Sequence, residues 1–356
     1  MRVMFLGTAS ACPTVSRNVS GLAVSRKGRH FLFDCGEGTQ RQMMKYGVGF
    51  SAGDILITHL HADHYLGIPG LLRTLTLQGR QQPITLWGPP GSSSVLRDAR
   101  DLGGDRLSFD VPVRELGPGD AIEGDGFRIE AFETDHGKVS VGFALVEEDR
   151  SGRFNVELAR ELGVPEGPLF ARLHSGEDVV LDDGRKIESA ELVGPRRPGR
   201  RVVYTGDTAP CDRVAEVAVG ADLLIHEATF GSSDRRRARE TRHSTGAQAA
   251  RLAVRAGVKD LVLTHISARQ RGARDLLAEA RAVFPRARLA RDGLEIQVGL
   301  DDEENRTTDA HARDRATAGG GAGASAVQEA GDQADVRTRQ RPGLLGRLGG
   351  RLGAGH

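Results

Sequence analysis

The chain has 356 residues, of which 38% are apolar and 27% charged, so it can bury a sizeable core in one large domain or two ordinary ones. Its formal net charge is +1, which means that any polyanionic partner must be held by local basic patches and not by overall charge. Three cysteines without a repeating spacing argue against a disulfide framework. With no signal-peptide pattern and no run near the roughly 18 apolar residues of a membrane helix, we expect a cytoplasmic protein without a membrane anchor.

Short apolar strands alternate with helices along the body of the chain, which predicts a mixed α/β fold. Strands are predicted at Met1–Leu6, Gly21–Ser25, His30–Asp34, Asp54–Thr58, Pro83–Trp87, Phe127–Phe132, Ser140–Val146, Arg201–Tyr204, Asp222–His226 and Asp260–His265. Helices are predicted at Thr39–Tyr46, Ile68–Gln78, Gly246–Ala256 and Arg274–Val283.

The composition changes after Leu300, where aromatic residues are absent and glycine, alanine and charged residues dominate. Such a segment cannot bury enough apolar surface to offset the conformational entropy lost on ordering. We therefore expect one domain at 1–300 and a low-complexity, disordered tail at 301–356.

A histidine or an aspartate follows the end of five predicted strands. The junctions read DILIT-HLHADH, FRIEAFETD-H, RVVYTG-D, DLLI-H and DLVLT-H, and they place His59, His136, Asp207, His226 and His265 at strand ends. Strand ends in mixed α/β folds converge on one edge, so these side chains can meet although they are far apart in sequence. One such junction would mean little, but five are improbable as a coincidence.

The segment HLHADH at 59–64 has the residue types and the spacing of a metal site. His59 and His61 are two residues apart in extended chain and point to the same side, whereas Asp63 and His64 fall on the turn into the next helix. One ion cannot easily take all four side chains, but two adjacent ions can. Imidazole and carboxylate suit zinc and, less strictly, manganese or iron. Two such cations lower the pKa of a shared water, which indicates a hydrolase without naming its substrate.

The HxHxDH pattern resembles the metallo-β-lactamase superfamily. That resemblance implies an αββα sandwich, in which two sheets are flanked by helices and a dinuclear site lies at one edge. It also implies the ligands: His59, His61 and His136 for the first ion, Asp63, His64 and His265 for the second, and Asp207 as the bridge.

Further stretches resemble one branch of that superfamily, the short form of tRNase Z, or ribonuclease Z, which removes 3′ trailers from precursor tRNA. The matching stretches are GTASACPTVSRN at 7–18, LFDCGEGTQRQ at 32–42, LLIHEATF at 223–230, HSTGAQAA at 243–250 and THISAR at 264–269. They occur in the family's order and cover about residues 1–299. The resemblance implies a zinc-dependent endoribonuclease with two zinc ions per chain, precursor tRNA as substrate and a homodimeric assembly.

Residues from about 147 to 200 interrupt two strands and resemble the family's inserted arm, which grips the tRNA elbow; GVPEGPLF carries the likeness. An insertion of this length within a compact domain is usually functional. Its basic residues Arg150, Arg153, Arg160 and Arg172 suit an RNA partner.

Two positions depart from the family's pattern. Val15 stands where the N-terminal loop, associated with reading the tRNA 3′ end, usually has a lysine, and Gln270 stands where an aromatic residue is usual. Arg17 and Asn18 of the same loop remain candidates for contact with RNA.

In the reaction that this resemblance implies, Asp63 would orient the attacking water and accept its proton. His243 of the HST motif would protonate the leaving 3′ oxygen, which yields a 3′ hydroxyl on the tRNA and a 5′ phosphate on the trailer. His226 and Glu227 of the HEAT motif would orient Asp63 or His243 from behind.

Two other interpretations of the sequence remain open. A small-molecule phosphodiesterase, thioesterase or lactonase could use the same metal motif, but it would not need the arm. A non-catalytic RNA-binding scaffold could retain the fold, but the complete ligand set, together with Asp63 and His243, argues against it.

Overall fold

The computed structural model describes residues 1–104, 106–137, 139–269 and 273–300, and within them two seven-stranded β-sheets pack face to face. The chain divides into the units Met1–Asp301 and Asp302–His356. The tail at 301–356, which we expect to be disordered, and Gln270 both lie outside the described residues.

The strands in chain order are β1 (Arg2–Gly7), β2 (Ala9–Ser10), β3 (Gly21–Arg26), β4 (Arg29–Cys35), β5 (Asp54–Leu56), β6 (Thr85–Gly88), β7 (Val113–Glu115), β8 (Ala121–Gly124), β9 (Phe127–Glu133), β10 (Val141–Glu147), β11 (Val179–Val180), β12 (Lys186–Ile187), β13 (Arg201–Tyr204), β14 (Leu223–Glu227), β15 (Asp260–Thr264), β16 (Ile266–Ser267), β17 (Arg288–Leu289) and β18 (Glu295–Gln297). The helices are α1 (Thr39–Lys45), α2 (Ala62–Tyr65), α3 (Ile68–Leu77), α4 (Ser93–Asp101), α5 (Val156–Glu161), α6 (Pro168–His174), α7 (Ser189–Leu192), α8 (Asp212–Val217), α9 (Arg235–Glu240), α10 (Gly246–Ala256) and α11 (Ala273–Arg281).

The strand order of the first sheet is β18-β1-β3-β4-β5-β6-β7, and that of the second is β17-β15-β14-β13-β10-β9-β8. Strand β10 is buried along its whole length because one of its faces meets the first sheet and the other meets helices. Aromatic side chains fill the space between the sheets, with Phe31 edge-on to Phe127 and Phe33 tilted against Phe143. The two sheets therefore share one apolar core.

Helices cover the outer face of each sheet. Helices α1, α3 and α4 pack on the first sheet through residues such as Met43, Leu72 and Leu96. Helices α8, α10 and α11 pack on the second, where the small side chains of Ala249 and Ala253 allow α10 a close approach. The predicted αββα sandwich is confirmed.

The predicted arm joins β10 to β13, which are adjacent antiparallel strands of the second sheet. It contains α5, α6, α7 and the β11–β12 hairpin, and it has an apolar cluster of its own around Ala159, Leu173 and Ile187. Backbone hydrogen bonds between Arg150 and Arg197, of 2.8 and 2.9 Å, close its root. The arm is thus a small packed unit inserted into a hairpin.

Candidate functional site

The ends of strands from both sheets bring the predicted metal ligands into one pocket. His59 and His61 follow β5, Asp63 and His64 lie on α2, His136 follows β9, Asp207 follows β13 and His265 follows β15. Their ligand atoms form two groups in which no two atoms are more than 4.8 Å apart: His59, His61, His136 and Asp207 in one, Asp63, His64 and His265 in the other.

The first group surrounds the imidazole of His61. Nδ1 of His61 lies 3.0 Å from Nε2 of His59 and 3.1 Å from Nε2 of His136. Oδ2 of Asp207 lies 3.6 Å from Nε2 of His59. Burial lowers the pKa of His59 well below its ordinary value, and the neighbouring His64 adds to the effect. A neutral imidazole presents a lone pair, which is the form that binds a metal.

The second group is linked to the first through Asp207. Nε2 of His265 lies 3.4 Å from Oδ2 of Asp63 and 3.3 Å from Oδ1 of Asp207. Nε2 of His64 lies 3.5 Å from Oδ2 of Asp207. Gly206 makes this position possible, since its φ is +59° and an added Cβ would lie 2.8 Å from Cβ of Thr58.

The donor set fits divalent cations. In the first group, Nδ1 of His61 lies 3.0 Å from Nε2 of His59 and 3.1 Å from Nε2 of His136. These three nitrogens cannot all be matched as donor and acceptor, so some lone pairs face each other and repel. Oδ1 of Asp207 is buried and, within the described part of the chain, has no hydrogen-bond donor. Leaving such an oxygen unsatisfied is costly, and a cation shared with the histidines would remove that cost. The cluster is therefore a candidate divalent-metal site.

Outer hydrogen bonds fix the orientation of four histidine rings. The Nδ1 atoms of these rings lie within hydrogen-bond distance of outer partners: Thr58 Oγ1 at 3.0 Å for His59, Asp34 Oδ2 at 2.8 Å for His64, the Arg242 carbonyl at 2.8 Å for His136 and Thr229 Oγ1 at 2.9 Å for His265. With Nδ1 engaged outside the pocket, Nε2 of each ring faces inward.

Asp34 at the end of β4 is a contributor that the sequence analysis did not identify. Besides His64, its carboxylate accepts hydrogen bonds from the Tyr204 hydroxyl at 2.7 Å and the Thr58 amide at 2.9 Å. Tyr204 belongs to the second sheet and Asp34 to the first, so one buried carboxylate joins both sheets beneath the pocket. The feature of the sequence that indicates a role for Asp34 is its position at the end of an apolar strand, in LFDCGEG.

Glu227 and His243 form a buried pair beside the metal ligands. Nδ1 of His243 lies 2.7 Å from Oε1 of Glu227, and its ring stacks on His265. Burial opposes protonation of His243, but the charge and hydrogen bond of Glu227 outweigh it and raise the pKa of His243 to about 9.

Glu227 thus contacts His243, as expected, but the structure gives His226 no contact with Asp63 or His243 among the described residues. Its Nδ1 donates to the Glu227 carbonyl at 2.7 Å, and its Nε2 is buried without a described partner. Neighbouring strand residues point to opposite faces, so when Glu227 faces the pocket, His226 faces away from it.

The N-terminal loop at 8–18 reaches Asp63. The Ala11 amide donates to Oδ2 of Asp63 at 2.8 Å, while Asp292 accepts from Thr8 Oγ1 at 2.7 Å and from the Asn18 amide at 2.6 Å at the loop's base. Arg17, a candidate for RNA contact, donates instead to Thr8 Oγ1 and to the Ala290 carbonyl, at 2.6 and 2.7 Å.

The Asn18 side-chain amide donates to the Glu37 carbonyl at 2.9 Å. Arg17 and Asn18 therefore anchor the loop, and the exposed Val15 lies on its outer part.

Two family models match the chain. One, described as anti-Pycsar protein Apyc1, matches residues 1–151, and the other, a β-lactamase superfamily domain, matches residues 171–266. A ribonuclease Z from Gemmatimonas aurantiaca is 56% identical over 304 residues, which are 85% of this chain and 97% of that protein. The chain belongs to the ribonuclease Z family.

Solved structures agree with the ribonuclease Z assignment. The crystal structure of human tRNase Z, short form, is 30% identical with a TM-score of 0.62, covering 84% of this chain and all of that one. The metallo-β-lactamase fold protein YhfI from Bacillus subtilis shares the fold, with a TM-score of 0.60 at 18% identity. The match covers 83% of this chain and 99% of the YhfI chain. The predicted resemblance is thus confirmed. No helix among the described residues is long and apolar enough to cross a membrane.

Proposed function

We propose that this chain is a metal-dependent tRNA 3′-processing endoribonuclease that removes 3′ trailers from precursor tRNA. The single observation that carries the proposal is the carboxylate of Asp207, which lies within 3.8 Å of histidine nitrogens from both ligand groups and has an unsatisfied buried oxygen. The similarity to ribonuclease Z over 85% of the chain supports precursor tRNA as the substrate.

Two zinc ions per chain are proposed for the pocket. His59, His61 and His136 would hold one, Asp63, His64 and His265 the other, and Asp207 would contact both, because imidazole and carboxylate are zinc ligands. Such cations would polarise the phosphodiester and make a water acidic at neutral pH. Elemental analysis of the purified protein tests this: two equivalents are expected, and one or none in Asp207→Ala.

Asp63 is the proposed proton acceptor. Its Oδ2 is held by the Ala11 amide and lies beside His265, so the carboxylate has a fixed position at the edge of the pocket. It orients the attacking water and takes its proton as the water oxygen bonds to phosphorus.

His243 is the proposed proton donor. The charge and hydrogen bond of Glu227 raise its pKa and so favour the protonated ring, and with Nδ1 bonded to Glu227, Nε2 is the nitrogen that can donate. As the bond from phosphorus to the 3′ oxygen breaks, His243 protonates that oxygen, which leaves a 3′ hydroxyl on the tRNA and a 5′ phosphate on the trailer.

A homodimer is proposed in keeping with the short-form resemblance, and large apolar side chains exposed on neighbouring helices support it. Met44 on α1 and Leu77 on α3 are 65% and 88% exposed, and the Thr74 hydroxyl bonds to Gln40 between the two helices. Sedimentation of the wild type and of Met44→Asp/Leu77→Asp tests the assembly, and a monomeric wild type would refute it. A tRNA substrate also supports the expected cytoplasmic location.

The decisive experiment compares Asp63→Ala with the wild type on a precursor tRNA. We expect cleavage to fall at least about a thousandfold while tRNA binding is largely retained, since the variant loses a proton acceptor and a ligand but no RNA-binding surface. Asp212→Ala, which removes an exposed carboxylate paired with Arg255, is the control. Cleavage by Asp63→Ala at the wild-type rate would refute the mechanism.

Sequencing the 3′ ends released from CCA-less and CCA-bearing precursors would define the cleavage position.

A further inference from the structure

We propose that the basic helix α9 and the turn after it form a phosphate-binding surface for the tRNA side of the cleavage site. This inference rests on the proposed function and adds to it a contact surface for the acceptor stem. The segment DRRRARETR at 234–242 carries five arginines against two acidic residues, in a chain whose net charge is only +1.

The segment is fixed directly beside His243. The amide of His243 donates to the Ala238 carbonyl at 2.7 Å, so the last turn of α9 runs straight into the proposed proton donor. Ala238 is buried beneath the helix, and the guanidinium of Arg237 lies over the Phe230 ring at 6.0 Å. These contacts fix the position of α9 beside the pocket, and the other arginines of the helix are exposed to solvent.

Two of these arginines are free to meet phosphates. Arg235 and Arg239 are exposed, lie one helical turn apart on the same face, and form no ion pair with any residue that the structure describes. Arg236 on the same helix is paired with Glu240 at 3.5 Å. Arg242, after the helix, is exposed 3.5 Å from Asp135. Unpaired surface arginines gain more from a phosphate than paired ones, because no existing contact is lost.

The arm cannot supply this charge alone. Residues 150–197 contain eight basic and nine acidic side chains, so the arm has no positive excess. Arg160 pairs with Glu166 at 2.7 Å, and Arg172 pairs with Glu177. Binding to RNA depends largely on cations that replace counterions at phosphates, and a nearly neutral arm gives little of that contribution. The free arginines of α9 are suited to provide it.

The chemistry of the reaction decides which part of the substrate α9 meets. His243 protonates the 3′ oxygen of the last nucleotide that the tRNA retains. RNA beside His243 is therefore on the tRNA side of the broken bond, and the next phosphates in that direction belong to the acceptor stem. Sequence-independent phosphate contacts of this kind position the substrate without reading its bases.

The test compares Arg235→Gln/Arg239→Gln with Arg97→Gln/Arg106→Gln, a control that removes two exposed arginines on and after α4. We measure KM and kcat against salt concentration on precursor tRNAs with short and long trailers, on a single-stranded RNA with the same 3′ sequence, and on bis(p-nitrophenyl) phosphate. Thermal unfolding confirms that both variants are folded.

We expect the α9 variant to raise KM for precursor tRNA about tenfold at physiological salt. The slope of log KM against log salt concentration should fall by about one to two, roughly one for each lost phosphate contact. The rise should not depend on trailer length and should be smaller with the single-stranded RNA, which offers the phosphates of only one strand of the acceptor stem. The substitutions should leave kcat on the small diester unchanged.

An unchanged KM and salt dependence would overturn the inference, and so would equal effects in the α9 variant and the control. A penalty that grows with trailer length would place the trailer on α9 and also overturn it. These outcomes differ from a failure of the proposed function, in which the wild-type protein itself would not cleave precursor tRNA.

Discussion

The backbone amide of Ala11 donates a hydrogen bond to Oδ2 of Asp63 across 52 positions of sequence. Ala11 has a φ of +60°, a conformation that costs an L-residue other than glycine roughly 1–2 kcal/mol. The base of the loop, tied to Asp292, holds Ala11 in that conformation. The loop thus acts as a brace for the proposed proton acceptor.

Ala11→Val should lower kcat about tenfold on bis(p-nitrophenyl) phosphate with little change in KM. A β-branched side chain disfavours positive φ, so the amide moves away from Asp63 and the carboxylate loses its fixed position. Ala11→Gly keeps the amide and tolerates the conformation, so it should retain most of the activity. If Val and Gly behave alike in steady-state kinetics, the brace has no role in catalysis.

Glu227→Gln should move the alkaline limb of the kcat–pH profile to lower pH by more than one unit. Burial opposes protonation of His243, and Glu227 raises its pKa to about 9, so activity that needs the protonated ring is present below that value and is lost as pH rises through it. Bound cations would lower this pKa, so the limb lies at or below about 9, but removing the carboxylate lowers it further in either case. The control is Glu240→Gln on the exposed helix α9, which should leave the alkaline limb of the kcat–pH profile in place. If the limb does not move in Glu227→Gln, His243 is not the proton donor.

Glu147→Gln should destabilise the fold by about 3 kcal/mol at neutral pH, because it removes the negative charge that faces the buried Arg26 and the partly buried Arg200. The carboxylate accepts from Arg26 at 2.7 Å and from Arg200 at 2.7 and 2.8 Å. Burial opposes its ionisation, but both arginines outweigh this and lower its pKa from 4.5 to about 2.

The stabilisation from Glu147 is therefore complete above about pH 4.5 and is lost as pH falls toward 2. Urea unfolding of the wild type and the variant should give curves that approach each other across that range. The control Glu148→Gln changes the exposed neighbouring residue and should lower the free energy of unfolding by less than about 0.5 kcal/mol at any pH. A gap between wild type and Glu147→Gln that is constant with pH would contradict this account.

Replacing residues 151–196 with an Asn-Gly turn should raise KM for precursor tRNA strongly and leave cleavage of bis(p-nitrophenyl) phosphate unchanged. Arg150 and Arg197 are already hydrogen-bonded across the root, so a short turn can close the hairpin, and the arm's apolar cluster is removed as a whole. Equal losses on both substrates would show that the arm supports the fold and not RNA binding.

The sequence predicted those parts of the site whose residue types are distinctive and whose positions follow strand ends. His59, Asp207 and His265 lie at the ends of predicted strands, and the structure brings them together. Asp34 has the same kind of position, but a single aspartate after a strand gives no sign that it joins two sheets.

Other features depend on backbone conformation or on contacts between distant segments, which no local pattern encodes. The positive φ of Ala11 and the contact of Asp292 with the first loop are of this kind. Helix α9 was not predicted because RRRARE has no apolar periodicity, and it is held by its neighbours and not by its own propensity. His226 shows the opposite error, since a histidine at a strand end can face away from the pocket.

The ligand groups join residues from His59 to His265, and Asp34 and Tyr204 couple the two sheets beneath them. During synthesis, a nascent chain that has not yet left the ribosome beyond Thr264 can offer only an incomplete set of donors. A complete set of donors for divalent cations can therefore form only after His265 has emerged from the ribosome, so the supply of such cations would act on a late stage of folding and not on its early stages.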